Sequence, residues 1–120
     1  MSNNIRIELE DGTFDNDFIH SNYAVLIYLD NKYIGDIVGY ATDEDAHIEL
    51  ISIEEKYRGL GYGTIAMNQF KEECKNLGFS YIYGDCPYNR MRFYKSLGAV
   101  FECRTEDDYT FVNKVFYIDL

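Results

Sequence analysis

The chain has 120 residues, 47% of them apolar, and a formal net charge of −10. That length is expected to form one domain, residues 1–120, around a single core, and so acidic a chain argues against binding DNA or RNA through phosphates. No apolar run is long enough to cross a membrane. MSNNIRIELE carries neither a basic nor an apolar signal segment, and Cys74, Cys86 and Cys103 form no CxxC pair, so reduced thiols, a cytoplasmic setting and no metal are expected.

IRIEL (5–9) alternates and reads as a first strand. Residues 11–22 are polar, with Phe14, Phe18 and Ile19 placed to cover the core in a short turn of helix. YAVLIYL (23–29) and YIGDIVGYAT (33–42) read as strands joined by a hairpin turn at Asp30-Asn31-Lys32, and TDED (42–45) reads as a second turn before HIELISI (47–53). The period then changes. Ile65, Ala66, Met67, Phe70, Cys74 and Leu77 recur at three- and four-residue spacing, predicting an amphipathic helix from about Gly61 to Asn76, closed by Gly78. FSYIYGDC (79–86) is a strand ended by Pro87. Asn89 can cap a short helix, RMRFYKSL (90–97), ended by Gly98. AVFECR (99–104) and YTFVNKVFYIDL (109–120) read as a final antiparallel pair.

Charge divides the chain unevenly. Residues 1–55 carry −11, residues 56–98 carry +4 and residues 99–120 carry −3. The basic middle contains RGLGYGT (58–64), in which Gly59, Gly61 and Gly63 alternate with Leu60 and Tyr62. A strand, a bare glycine backbone and a helix N-terminus present converging N–H groups and a partial positive charge, which suits a phosphate, and Arg58 adds a fork of donors. The spacing is neither GxxxxGK[ST] nor GxGxxG. Taken alone, three glycines equally describe a turn without a ligand.

The flanking residues make the pattern more specific. ISIEEKYRGLGYGT resembles the acyl-CoA-binding motif of the GNAT superfamily of N-acetyltransferases, with Arg58, Gly61 and Gly63 in its fixed positions and Ile53 at the strand end. MRFYKSLGA (91–99) resembles the second motif of that family through Tyr94 and Gly98. The resemblance spans about residues 33–104. It implies an α+β fold: a mixed, mostly antiparallel sheet of about seven strands, splayed after the fourth and flanked by helices, with a shortened N-terminal helical region.

The resemblance further implies that acetyl-CoA is the co-substrate. Arg58, Gly59, Leu60, Gly61, Tyr62, Gly63 and Thr64 would hold its pyrophosphate, and the backbone near Ile51 and Ile53 would pair with pantetheine. A backbone N–H near Ile53 would meet the oxyanion. Arg90, Arg92 or Lys95 could meet a phosphate. Tyr94 would be the acid that protonates the leaving thiolate. His47, six residues before Ile53, and Glu49, on the same strand face if the strand is regular, are the alternatives for the base, directly or through water. The family's asparagine falls at Pro87 here, leaving Asn89 as either a coenzyme contact or a cap. Cys86 reads as a buried structural thiol.

The short segment 10–22 leaves the acceptor side open, which suits a protein amine, and the acidic flanks suit a cationic acceptor such as lysine, an N-terminus or a polyamine. The expected function is transfer of acetyl from acetyl-CoA to such an amine, with no nucleic-acid or membrane partner; homodimerisation is left open. A non-catalytic acidic binding protein and an acetyl-CoA sensor are the alternatives on the same scaffold.

Overall fold

Alternation of apolar residues builds the sheet. In the computed structural model, which describes residues 4–10, 22–102 and 113–120, Tyr23, Val25 and Ile27 are buried on β2 (Asn22–Leu29) while the residues between them are half-exposed. The same pattern recurs on β3 (Lys32–Ala41) and β5 (Tyr81–Pro87). With β1 (Ile5–Leu9), β4 (Asp45–Ile53), β6 (Val100–Phe101) and β7 (Asn113–Asp119) they form one seven-stranded sheet in the order β1-β2-β3-β4-β5-β7-β6. All pairings are antiparallel except β4–β5, which is parallel. The connection between those two strands carries α1 (Tyr62–Asn76), as a parallel pair requires.

The parallel ladder is short. It runs from Asp45 opposite Tyr81 to Ile48 opposite Gly84 and stops. Beyond that point β4 stays on β3 as far as Ile53, and β5 stays on β7 as far as Pro87. The sheet therefore opens into a V between its fourth and fifth strands.

Both helices cover one face. Ala66, Met67, Phe70 and Cys74 of α1 are buried, and the Phe70 ring lies 5.7 Å from Tyr23. On α2 (Met91–Ser96) Tyr94 is buried and stacks on Phe116 of β7 at 4.4 Å. Burying side chains such as Met67 and Phe70 stabilises by about 1.5–3 kcal/mol each. Lys71 of α1 donates to the Leu97 carbonyl at 2.8 Å, tying the two helices together.

The hairpin turn is Asp30-Asn31, both at positive φ (49° and 72°), with Leu29 opposite Lys32. This is the two-residue turn whose twist matches its strands. Thr42 organises the next turn, its hydroxyl accepting from the Glu44 and Asp45 amides. Gly78 and Gly98, both at φ 93°, close the helices as expected.

The long helix runs to Asn76 as expected, with Gly61 as its left-handed N-cap. The sequence expectation fails in three places. Asn89 caps nothing: it stands exposed in a 3-10 turn, Tyr88–Arg90, and α2 starts at Met91 with no side-chain cap. The strand expected over 99–104 is two residues long, and Cys103, Arg104 and residues 109–112 lie outside the described residues, as do Phe14, Phe18 and Ile19. Finally, β4 is not regular. Val38 pairs with Leu50 and Gly39 with Ile48, so Glu49 is an extra residue, a β-bulge. His47 and Glu49 consequently do not share a simple alternating face.

Candidate active site

The bulge and the parting of the sheet coincide. Among the described residues of β4, Glu49 alone has no register partner on either neighbouring strand. Before the bulge Ala46 and Ile48 are buried; after it Leu50 is 48% exposed and Ile51 is 3% exposed. The extra residue thus swaps which side chains face the helices, while freeing its own backbone at the apex of the V. The amide of Glu54 is bonded to the Ile34 carbonyl of β3 at 2.8 Å. Backbone groups alternate sides along a strand, so those of Ile51 and Ile53 point to the side that β5 has vacated.

An open cleft of about 340 Å³ lies along this vacated side. Ile51, Ser52 and Ile53 form one wall, the loop from Tyr57 to Thr64 its end, and Phe93 and Arg90 the opposite wall. Of the residues expected at the loop, Arg58, Gly59, Gly61, Tyr62, Gly63 and Thr64 line the cleft; the side chain of Leu60, 60% exposed, does not. Asn89 is not in the lining either, and its neighbour Arg90 is. Tyr62 lines the cleft as expected, and it is joined there by Tyr57 and Phe93, which the sequence reading does not single out. They are aromatic walls whose only signal is proximity to the glycines.

The loop and its surroundings suit an anion in four ways. Gly59 and Gly61 have φ 76° and 86°, and a Cβ at either would meet nothing within 4 Å, so the space above the backbone is empty. The first bond of α1 is from Ile65 N–H to Gly61 oxygen at 3.2 Å, so the amides of Tyr62, Gly63 and Thr64 precede the helical ladder. No side chain caps this terminus and its first turn contains no acidic residue, so nothing of the helix's own competes for those donors. Arg58 and Arg90 flank the cleft, and the ammonium groups of Lys32 and Lys56 lie 5.7 Å and 5.2 Å from the Tyr57 ring at its rim.

Tyr94 is buried behind the cleft rather than in its lining, 4% exposed, with Phe93, which does line the cleft, edge-on at 5.1 Å. Burial pushes its phenol up to about 12; Cys86 and Asp85 push in the same direction and Arg90 opposes. The phenol therefore keeps its proton throughout the neutral range. Cys86, past the last β4–β5 pair, is a buried free thiol raised by burial to about 11. His47 lies in the closed part of the ladder. Its ring stacks on Tyr40 at 4.5 Å and lies 5.6 Å from Tyr83, on the face away from the helices.

That outer face is acidic. In strand register it carries Glu8, Asp36, Asp45, Asp85 and Asp119, and its one described cation, Arg6, is ion-paired with Glu8. Among the described residues, no cluster of His, Cys, Asp and Glu could hold a metal.

Comparison with known proteins agrees with this geometry. The chain resembles a GNAT family acetyltransferase from Elizabethkingia anophelis, solved with acetyl-CoA bound (TM-score 0.77, 18% identity, covering 99% of this chain and 100% of that one). It resembles the Bacillus subtilis acetyltransferase in complex with CoA (TM-score 0.76, 16% identity, 98% and 99%). It also resembles Arabidopsis thaliana Naa50 in complex with a bisubstrate analogue, CoA-Ac-MVNAL (TM-score 0.65, 18% identity, 81% and 72%). Against curated proteins, nothing matches by sequence. The model of the Acetyltransferase (GNAT) family matches residues 4–99, and the chain belongs to that family.

Proposed function

We propose that the protein transfers the acetyl group of acetyl-CoA to a primary amine of a cationic acceptor. The observation that carries this reading is the joining of two features in one cleft: an uncapped helix N-terminus behind bare glycines, and a strand whose backbone has lost its neighbour. The first matches a diphosphate and the second matches the amides of pantetheine. Together they set a thioester at the apex of the V, beside Glu49.

There the amine nitrogen attacks the thioester carbonyl carbon. The new C–N bond forms, the C–S bond breaks and the thiolate leaves. Tyr94 donates the proton that the thiolate takes up, its phenol being protonated across the working range. Glu49 receives the proton that the amine gives up, directly or through water. His47 is the less favoured base, because its ring is stacked with Tyr40 and lies against Tyr83 in the closed ladder. Losing that proton beforehand costs a lysine-like amine about 4.6 kcal/mol at pH 7, so a nearby carboxylate has work to do. The acidic outer face favours a cationic acceptor over a neutral one. The peptide portion of the analogue bound to Naa50 supports a protein or peptide amine as the first class to try.

The test has two parts. Native mass spectrometry of the purified protein is expected to reveal bound coenzyme A or its acetyl ester. A thiol-release assay over lysine peptides, N-terminal peptides and polyamines is expected to find turnover, lowered by about 10²–10⁴-fold in Tyr94→Phe with coenzyme binding retained. Coenzyme binding without release on any amine would make the protein a sensor instead.

A further inference from the structure

The bulge that frees Glu49 is held by a residue from two strands away. The hydroxyl of Tyr23, on β2, donates to the His47 carbonyl oxygen at 2.7 Å. Between them runs β3, and the residue there is Gly39, in register with both Tyr23 and Ile48. A Cβ at Gly39 would lie 1.9 Å from the His47 oxygen and 2.6 Å from the Tyr23 hydroxyl. The bond therefore passes through the space where any other residue would carry its side chain. Gly84 repeats the device on the other flank of Ile48, where a Cβ would lie 2.6 Å from the Ile48 carbonyl oxygen. Both peptide groups leading into Glu49 thus tilt toward the helix-covered side, into gaps left by two glycines.

Tyr23 is itself firmly placed. It is 6% exposed, and its ring leans on Phe70 of α1. Burial, with Cys74, Glu49, Tyr94 and Asp45 in electrostatic reach, raises its phenol well above the ordinary value, so the donor stays a donor. A tyrosine on a strand that faces a core needs no hydroxyl for packing. Here the hydroxyl reaches a backbone carbonyl two residues before the irregularity on which the proposed site depends.

We infer that Tyr23 is a positioning residue for acetyl transfer: its hydroxyl fixes the His47 peptide and so sets the bulge that holds Glu49 at the apex of the parted strands. This rests on the proposed function, in which Glu49 and the backbone beside it face the thioester. Tyr23 is not among the residues that line the cleft, and its hydroxyl acts through β4.

Tyr23→Phe removes the hydroxyl and leaves the ring. The inference expects kcat to fall by about tenfold to hundredfold, as small misplacements of reacting groups do, with KM for acetyl-CoA unchanged because the glycine loop is untouched. It also expects faster hydrogen exchange confined to the amides of Ile48, Glu49 and Leu50. Unchanged kcat, a rise in KM alone, or faster exchange spread evenly over the sheet would each overturn it. Gly39→Ala is the second variant: it displaces the same carbonyl while the phenol remains, and full kcat in that variant would also overturn the inference. Should the wild-type protein acetylate no amine, the functional reading falls, and the exchange comparison alone then decides whether Tyr23 sets the bulge.

Discussion

Arg58 donates through Nε to the carbonyl oxygen of Ile53 at 2.7 Å. The bond ties the glycine loop to the last residue of the strand along the cleft, and it takes up a carbonyl that points into the vacated side. It leaves both terminal amino groups of the guanidinium available to an anion. Lysine can do only one of these things at a time, because its ammonium is a single point.

Arg58→Lys is therefore expected to weaken acetyl-CoA binding by about tenfold, near 1.5 kcal/mol for one hydrogen bond to a charged group. Isothermal titration calorimetry measures it directly. Equal affinities in the two proteins would remove Arg58 from the coenzyme site.

Gly61 and Gly78 allow a matched comparison. Both have positive φ, 86° and 93°, and a Cβ at either would meet nothing within 4 Å. Alanine at either position should cost about 1 kcal/mol of stability, the strain of a left-handed backbone. Only Gly61 lines the cleft. Gly61→Ala is expected to lose coenzyme affinity, and Gly78→Ala to lose stability alone. Equal affinities in the two variants would show that the space above Gly61 is not where the ligand sits.

Most elements could be read from the sequence because local rules decide them. The Asp30-Asn31 turn, the helix-closing Gly78 and Gly98, and the spacing of Met67, Phe70 and Cys74 are each satisfied within a few residues of chain. The bulge left a local trace as well. In HIELISI the apolar residues run Ile48 and Leu50, then Ile51 and Ile53 in the opposite phase, and that slip falls beside Glu49. The parting of β4 from β5 left no such trace. It depends on β5 following β7 after Gly84, a choice made by contacts far apart in sequence. Asn89 misled because a cap residue before a helical pattern is a local signal, whereas the chain there spends one turn in 3-10 geometry first. Tyr23 reads from sequence as one more core tyrosine; its hydroxyl has meaning only beside Gly39 and the bulge.

The two candidate bases separate cleanly in experiment. Glu49→Gln keeps the size of the side chain and its place at the bulge but removes the charge that accepts a proton. It is expected to lower kcat by about 10²-fold. His47→Phe preserves a ring beside Tyr40 and is expected to cost less. A larger loss in His47→Phe, with Glu49→Gln near wild type, would assign the base to His47.

Alkaline stability tests the burial of the phenol and thiol beside the V. Cys86 is raised from near 9 to about 11, and Tyr94 from near 10 to about 12, both chiefly by burial. Each group is neutral when protonated and holds its proton more tightly in the folded chain than in the unfolded one. Below pH 9 both states keep these protons, so the contribution is fully present and flat. Above it the unfolded chain gives up its protons first, and stability falls as pH rises through the window from 9 to 12. Urea midpoints are therefore expected to stay level between pH 7 and 9 and to drop beyond. Tyr94→Phe removes one of the two ionisations and should make the drop between pH 10 and 12 shallower. If the variant falls as steeply as the wild type there, the phenol is not shielded from water as the structure has it.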